Sequence, residues 1–305
     1  MADSKQDSPE VAVVGSANVD LVVPVPRHPV GGETILGGDV VRHPGGKGAN
    51  QAVAAARAGG VRTTFIGALG RDASGDLIAG SLRAAGVDVS LVDRVDTPTG
   101  TALIAVSPTG ENTIIVAPGA NRHVGIGRAQ ARRIAAAAVL LAQLEVPLEV
   151  IRQAVEARAA DTLVVLNAAP SQDLPKWLWG ALDVLVVNEH EAADLAGTGG
   201  APAVLAEALL RRVPAVVVTL GGEGSLVATR EGGQVMVGAF SVDVVDTTGA
   251  GDTYCGVLAA ELAKGRDLVE AAQVAAAAGA LATTAAGAQE AVPTAADVTG
   301  LVSAR

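Results

Sequence analysis

Cysteine, aromatic residues and lysine are all scarce in this chain. Cys255 is the one cysteine in 305 residues, and aromatic residues make up 2% of the sequence. A single thiol excludes an intramolecular disulfide and any cysteine-built metal centre, and it fits a reducing compartment. Cys255 therefore reads as a small apolar packing residue. The four histidines, His28, His43, His123 and His190, do not fall at metal-ligand spacing. Lysine occurs only at Lys5, Lys47, Lys176 and Lys264, so a lysine inside a glycine-rich motif stands out. Long apolar runs are missing too: residues 134–142 stop at Gln143, far short of a membrane span. Residues 1–10 are polar, with no apolar stretch of the kind a secretory signal needs. A formal net charge of −10 argues against a nucleic-acid binder, which would normally show a basic face. A soluble, cytoplasmic protein that binds neither nucleic acid nor membrane is expected.

What the chain does have is apolar residues, 50% of the total, enough for the core of one large α/β domain. Residues 1–10 read as a disordered tail and 11–305 as the domain. Val11-Ala12-Val13-Val14-Gly15 looks like a buried parallel strand. Strand-like stretches at 63–70, 139–145, 162–167, 184–187 and 215–220 alternate with helical ones at 74–85, 148–159, 202–212 and 268–284. That alternation predicts a parallel sheet covered on both faces. Two stretches, about 19–43 and 98–118, lack helical periodicity. The second reads as a β-hairpin over 99–106 and 112–117, and together the two predict a small accessory sheet.

The chemistry centres on Asp246-Thr247-Thr248-Gly249-Ala250-Gly251-Asp252. An extended run, 234–242, precedes it, and 253–262 reads as a helix. At a helix start the first N–H groups have no partner and the dipole is positive. Gly249-Ala250-Gly251 would let an anion touch those amides, and Asp252 could take a proton from an attacking alcohol. Taken alone, the heptapeptide also fits a tight connection with a capping aspartate. Polar residues recur at predicted strand ends: Asn18 and Asp20, Glu145, Asn188 with Glu191, and Thr219. On a parallel sheet these share one edge and can converge on one cleft. Gly45-Gly46-Lys47-Gly48-Ala49-Asn50 lacks the Walker spacing. It reads either as a structural turn or as a close-approach loop in which Lys47 and Asn50 donate to hydroxyls. Asn188 and Glu191 have the spacing of a helix cap and its partner. The alternative is a carboxylate that holds the water shell of Mg²⁺.

These pieces, with Gly15 to Asp20, Gln143-Leu144-Glu145, Thr219-Leu220-Gly221 and Gly287-Ala288-Gln289, occur in one order along nearly the whole chain. In that order the sequence resembles the ribokinase-type carbohydrate kinase superfamily. The resemblance implies a three-layer α/β/α sandwich with a mainly parallel sheet and a small β-sheet lid, and a homodimer formed through that lid. It implies an ATP-dependent kinase for the 5-hydroxyl of D-ribose, or for a related sugar or nucleoside (deoxyribose, fructose, adenosine). Asn18, Asp20, Gly46, Lys47, Gly48, Asn50 and Glu145 would hold the sugar. Asp252 would be the base, and Gly249, Ala250 and Gly251 the anion hole. ATP would lie along Asn188, Thr219, Gly221, Gly224 and Gly251, with Glu191 near Mg²⁺. A K⁺ site would fall on Asp246, Thr248, Ala282, Ala285, Gly287 and Ala291. Three positions depart from the family pattern. Ala276 removes a side-chain contact to adenine, Ala291 leaves only a carbonyl for the cation, and Cys255 replaces a more usual Asn. Two other classes are disfavoured. A dinucleotide oxidoreductase lacks its G-x-G-x-x-G after the first strand, and a sugar sensor would not need Asp252 beside a glycine nest.

Overall fold

The computed structural model describes residues 9–304. The chain opens with β1 (Glu10–Val14), β2 (Asn18–Pro24), β3 (Val41–Gly45) and α1 (Lys47–Arg57). Then come β4 (Arg62–Ile66), β5 (Ala68–Gly70), α2 (Ala73–Ala84), β6 (Asp93–Val95) and the hairpin of β7 (Gly100–Val106) and β8 (Asn112–Ala117). Regular alternation follows through α3 (Arg128–Ala136), β9 (Val139–Gln143), α4 (Leu148–Ala157), β10 (Leu163–Asn167) and α5 (Lys176–Trp179). It continues with β11 (Val184–Asn188), α6 (Glu189–Ala196), α7 (Pro202–Leu210) and β12 (Ala215–Thr219). The last elements are β13 (Ser225–Thr229), β14 (Gly233–Val237), α8 (Ala250–Ala263), α9 (Leu268–Ala282) and α10 (Ala295–Ser303).

Eight strands form one sheet in the order β14-β13-β12-β11-β10-β9-β1-β4. Pairing is parallel from β4 to β12 and antiparallel for β13 and β14. Successive strand residues point to opposite faces. Val11, Val13, Leu141 and Val165 accordingly pack with α1, α8 and α9, while Ala12, Val14, Leu140 and Leu166 pack with α3, α4 and α7. The result is the three-layer α/β/α sandwich. The two non-helical stretches pair as a second sheet, β3-β2-β7-β8, whose strands start at Asn18 and reach Gly45, slightly beyond the expected bounds.

Several boundaries differ from expectation. Of the expected tail, residues 1–8 lie outside the described range, but Glu10 belongs to β1 and is buried. Its carboxylate accepts the Thr64 hydroxyl at 2.9 Å and an Arg133 N–H at 3.2 Å, partners that hydropathy does not reveal. The extended run at 234–242 is a strand only to Val237, and β13, which pairs beside it, was not anticipated, nor was α10. Helix α8 begins at Ala250, so Asp252 lies inside its first turn. The glycines there hide helical periodicity.

One contact fixes how the site assembles. Helices α1 and α8 cross so closely that a Cβ on Gly256 would lie 2.3 Å from the Gln51 carbonyl oxygen and 2.7 Å from the Ala54 Cβ. A Cβ on Gly59 would lie 2.3 Å from the Ala260 Cβ. Replacing Gly256 with Val should therefore destabilise the fold by about 1–3 kcal/mol through overpacking. Urea unfolding checks this; an unchanged midpoint would show that the helices have room to separate.

Candidate active site

Strand order reverses between β1 and β9, and ligands of open α/β sheets bind beyond the strand ends at such a point. Here the loop after β1 meets the residues after β9. The Ser16 hydroxyl donates to Glu145 Oε2 at 2.5 Å, and the Lys47 backbone N–H donates to the same oxygen at 3.1 Å. The start of α1 is pressed onto this loop. A Cβ on Gly48 would lie 2.7 Å from the Ser16 nitrogen. One on Gly46, whose φ is 90°, would lie 2.7 Å from the Ala17 Cα. Only glycine combines that φ with that approach. Asn18 is buried, and its Oδ1 accepts from Asn121 Nδ2 at 2.8 Å; Asn121 Oδ1 in turn accepts the Ala17 N–H at 2.9 Å.

Lys47, Asn50 and Gln51 sit three and four residues apart on one face of α1. That face meets Asp252. Asn50 Nδ2 donates to Asp252 Oδ2 at 2.9 Å, and Gln51 Nε2 donates to Asp252 Oδ1 at 2.9 Å. Behind them, Gln289 Nε2 donates to Asn50 Oδ1 at 3.0 Å, and Gln143 Nε2 donates to Gln51 Oε1 at 2.5 Å. Gln51 Nε2 also reaches Asn167 Oδ1 at 3.0 Å. At the helix start Gly249 is left-handed, with φ 77°, and a Cβ there would lie 2.8 Å from the Ala288 Cα. The Ala250 N–H bonds to the Thr247 carbonyl at 3.2 Å. Of the expected nest, the Ala250 N–H is thus engaged in a turn, while the first-turn amides of Gly251 and Asp252 have no acceptor within the helix.

Two adjoining clefts share Asn188, Thr219 and Gly251 in their walls. The larger, about 450 Å³, also has Gly221, Gly224, Phe240, Tyr254 and Ala276. The smaller, about 200 Å³, holds Lys47, Asn167, Glu191, Asp252 and Cys255. Asn18 and Glu145 instead line a third hollow, about 360 Å³, with Asn121 and Gln172. Asn188 and Glu191 do form the capping box: Glu191 N–H to Asn188 Oδ1 is 2.8 Å, and Asn188 N–H to Glu191 Oε2 is 2.9 Å. Cys255 packs as expected, and burial holds its thiol neutral.

Charges in the site act on one another. Lys47 is held above its ordinary value, first by Asp252 and then by Glu145 and Glu191, against the effect of its burial. Burial raises Glu191, opposed by its bond from Asn188 and by Lys47. Among the described residues no group of three or more His, Cys, Asp or Glu could cage a metal ion. Residues 283–291 wrap around Asp246. Partial burial pushes its carboxyl up, but donation from the N–H groups of Thr248 (2.9 Å) and Gly287 (3.1 Å) outweighs that and holds it low. Val245 and Asp246 N–H groups bond to the Thr283 carbonyl, and Ala291 N–H to that of Gly287. Ala282 closes α9, and Ala285 lies exposed in the turn that follows.

Gln51, Gln143 and Asn167 were not among the expected site residues. Gln143 and Asn167 are the last residues of β9 and β10, so the strand-end rule that selected Asn18 and Thr219 covers them as well. Asn121 and Gln289 come from a 3-10 turn and a loop, where no periodic signal exists.

Burial, reinforced by the Glu145 and Asp252 carboxylates, pushes Asp20 from 3.8 up to about 7, with His43 opposing. Its proton is bound more tightly in the folded chain than in the unfolded one. The associated stability is complete below about pH 4 and is lost as pH rises through about 7. Asp20→Asn should therefore gain in Tm over the parent between pH 5 and pH 8. Thermal unfolding at both values checks this, and an equal difference at each would contradict it.

The sequence model for the pfkB family of carbohydrate kinases matches residues 8–295. A ribokinase of Haemophilus influenzae is 37% identical over 293 residues, covering 93% of this chain and 95% of its own. One from Schizosaccharomyces pombe is 36% identical over 307 residues, covering 95% and 96%. The solved structure of Arabidopsis thaliana ribokinase complexed with ribose and ATP is similar with a TM-score of 0.90 at 32% identity, covering 97% of this chain and 98% of that one. With the geometry above, these matches establish that the chain belongs to the pfkB family of carbohydrate kinases.

Proposed function

We propose that the chain transfers the γ-phosphoryl group of ATP to the 5-hydroxyl of D-ribose, giving D-ribose 5-phosphate and ADP. One observation carries the reading: Asp252 stands in the first turn of α8, on the wall of the smaller cleft, with Asn50 and Gln51 donating to its two oxygens. A carboxylate so fixed is a general base. The amides beside it suit the equatorial oxygens of a phosphoryl group moving in line. The relatives named ribokinase and the similar structure that holds ribose and ATP support the choice of substrates.

In this reading the larger cleft takes the nucleotide, with its phosphates running past Asn188, Thr219, Gly221 and Gly224 to the amides of Gly251 and Asp252. The sugar lies against Asp20, Asn18, Gly46, Gly48, Asn50 and Glu145. Lys47 offers positive charge where the two substrates meet. Glu191 fits Mg²⁺ bound through water, because its carboxylate lines the smaller cleft with Asn188 and Thr219, and magnesium, which retains much of its hydration shell, needs only one or two acids. The ion would neutralise phosphate charge. The clamp on Asp246, and the turn through Ala282, Ala285, Gly287 and Ala291, fit a monovalent cation such as K⁺ held by carbonyl oxygens and by Thr248. The small sheet serves as a lid that excludes water. It exposes Leu103 and Ile115 on one face and Ile114 and Val116 on the other, and this uncovered apolar surface suits a homodimer formed through the lid.

Asp252→Asn keeps the size of the side chain and removes the base. It should fold normally and lose about 10²–10⁴ in kcat, followed by ADP release with ribose; full turnover would overturn the assignment. Replacing K⁺ with Na⁺ in the same assay should lower kcat while wild-type folding is retained. Equal rates in the two salts would remove the cation site from the reading.

A further inference from the structure

We infer that Gln289 is a positioning residue for Asp252, acting through the side-chain amide of Asn50. The inference deepens the proposed function and rests on Asp252 as the base of that site. Gln289 is 2% exposed and lies in the loop between α9 and α10. A row of side chains runs inward from α2. The Ser81 hydroxyl donates to Gln289 Oε1 at 2.7 Å, Gln289 Nε2 to Asn50 Oδ1 at 3.0 Å, and Asn50 Nδ2 to Asp252 Oδ2 at 2.9 Å.

A serine hydroxyl and two carboxamides could each face either way, since each both donates and accepts. An ionised carboxylate only accepts. It fixes the direction of the whole row: Asn50 must present nitrogen, so its oxygen requires a donor, and Gln289 is that donor. Without it, the Asn50 oxygen is left unpaired, and the amide is held only from the Asp252 side, so its nitrogen is aimed less firmly at the carboxylate. Buried acceptors left unpaired are costly, and such rows polarise cumulatively. The second arm has an independent anchor. The Val186 backbone carbonyl accepts from Asn167 Nδ2 at 3.3 Å, so Asn167 turns its oxygen to Gln51, whose nitrogen serves Asp252 Oδ1. Among the described residues the Gln289 side chain has no such backbone anchor, its partners being Ser81 and Asn50, which makes the first arm the sensitive one.

The loop also carries Gly287, whose N–H holds Asp246 Oδ2 at 3.1 Å. One short segment therefore grips the aspartate at residue 246 and, through Asn50, the one at 252.

A double-mutant cycle tests the inference. Gln289→Met removes the donor at nearly constant length, and Asn50→Ala removes the intermediary. Steady-state kinetics with ribose and ATP should show Gln289→Met losing about tenfold or more in kcat, the scale of one misdirected hydrogen bond. Both KM values should stay within about twofold. Added to Asn50→Ala, the same change should cost less than about twofold, because two residues acting in series are not additive. Multiplicative losses, or a loss carried by KM, would overturn the inference. Ser81→Ala, one step further out, should act in the same direction but more weakly. The Asn50 side-chain amide resonance, assigned by NMR, gives a readout independent of turnover. It should shift in Gln289→Met toward that of an amide without a carboxylate partner, and an unmoved resonance would also overturn the inference. If the parent chain forms no ADP with any sugar, the proposed function fails by itself, and the resonance still decides the role of Gln289.

Discussion

The crossing of α1 over α8 is the constraint on which the site depends. Asn50 and Gln51 meet Asp252 across about two hundred residues of sequence, so nothing local brings them together. Gly256 and Gly59 remove the side chains that would hold the helices apart. Glycine inside a helix costs about 1 kcal/mol in propensity. Here that cost is offset by the packing of Ala54, Ala55, Val257 and Ala260 in the layer beneath. The same crossing sets the distance at which two amides reach a carboxylate, so helix packing and the placement of the proposed base are one geometric fact.

An acidic protein that binds phosphate needs its positive potential to be local. The chain carries a formal charge of −10, and Asp252 and Glu191 stand in the wall of the smaller cleft. Lys47 and the first-turn amides of α8 supply the opposite sign. Lys47 is stabilised as a cation chiefly by Asp252. On the proposed sugar side, Asp20 rises to about 7, first because burial removes its water and then because Glu145 and Asp252 crowd it. Polyhydroxylated ligands suit such a place: hydroxyl groups donate to carboxylates and restore the hydrogen bonds that burial removed.

Much of this was legible in the residues, for identifiable reasons. Strands β1, β9, β10, β11 and β12 are nearly pure runs of Val, Leu and Ala, and the polar last residues of the latter four mark the edge where the clefts lie. The Asn188–Glu191 cap was readable because a helix start leaves a fixed three-residue signature. The start of α8 was not, since two glycines and an alanine have no periodicity, and the retreat of the Ala250 N–H into a turn depends on backbone direction. Gln51 escaped notice because its value lies in what it touches. A glutamine on an alanine-rich helix looks like surface until Gln143, Asn167 and Asp252 are placed around it.

The second sheet raises a different balance. All six residues of β8 are exposed, and the three large apolar ones, Ile114, Ile115 and Val116, stand 44–62% open. Strand β8 is also the last in its sheet, so one side of its backbone has no strand partner among the described residues. An exposed apolar edge of this kind is unfavourable in a lone chain, because it invites pairing with other edges. Charged residues would blunt it, yet β8 has none between Asn112 and Ala117. The proposed homodimer resolves the conflict by covering that edge with its copy. Asp20 lies on β2 of the same sheet, in register with Ala102 of β7, whose other neighbour is Val116 of β8. A partner that steadied β8 would steady Asp20 through two ladders of backbone hydrogen bonds, so pairing of chains and grip on the sugar would share one small sheet.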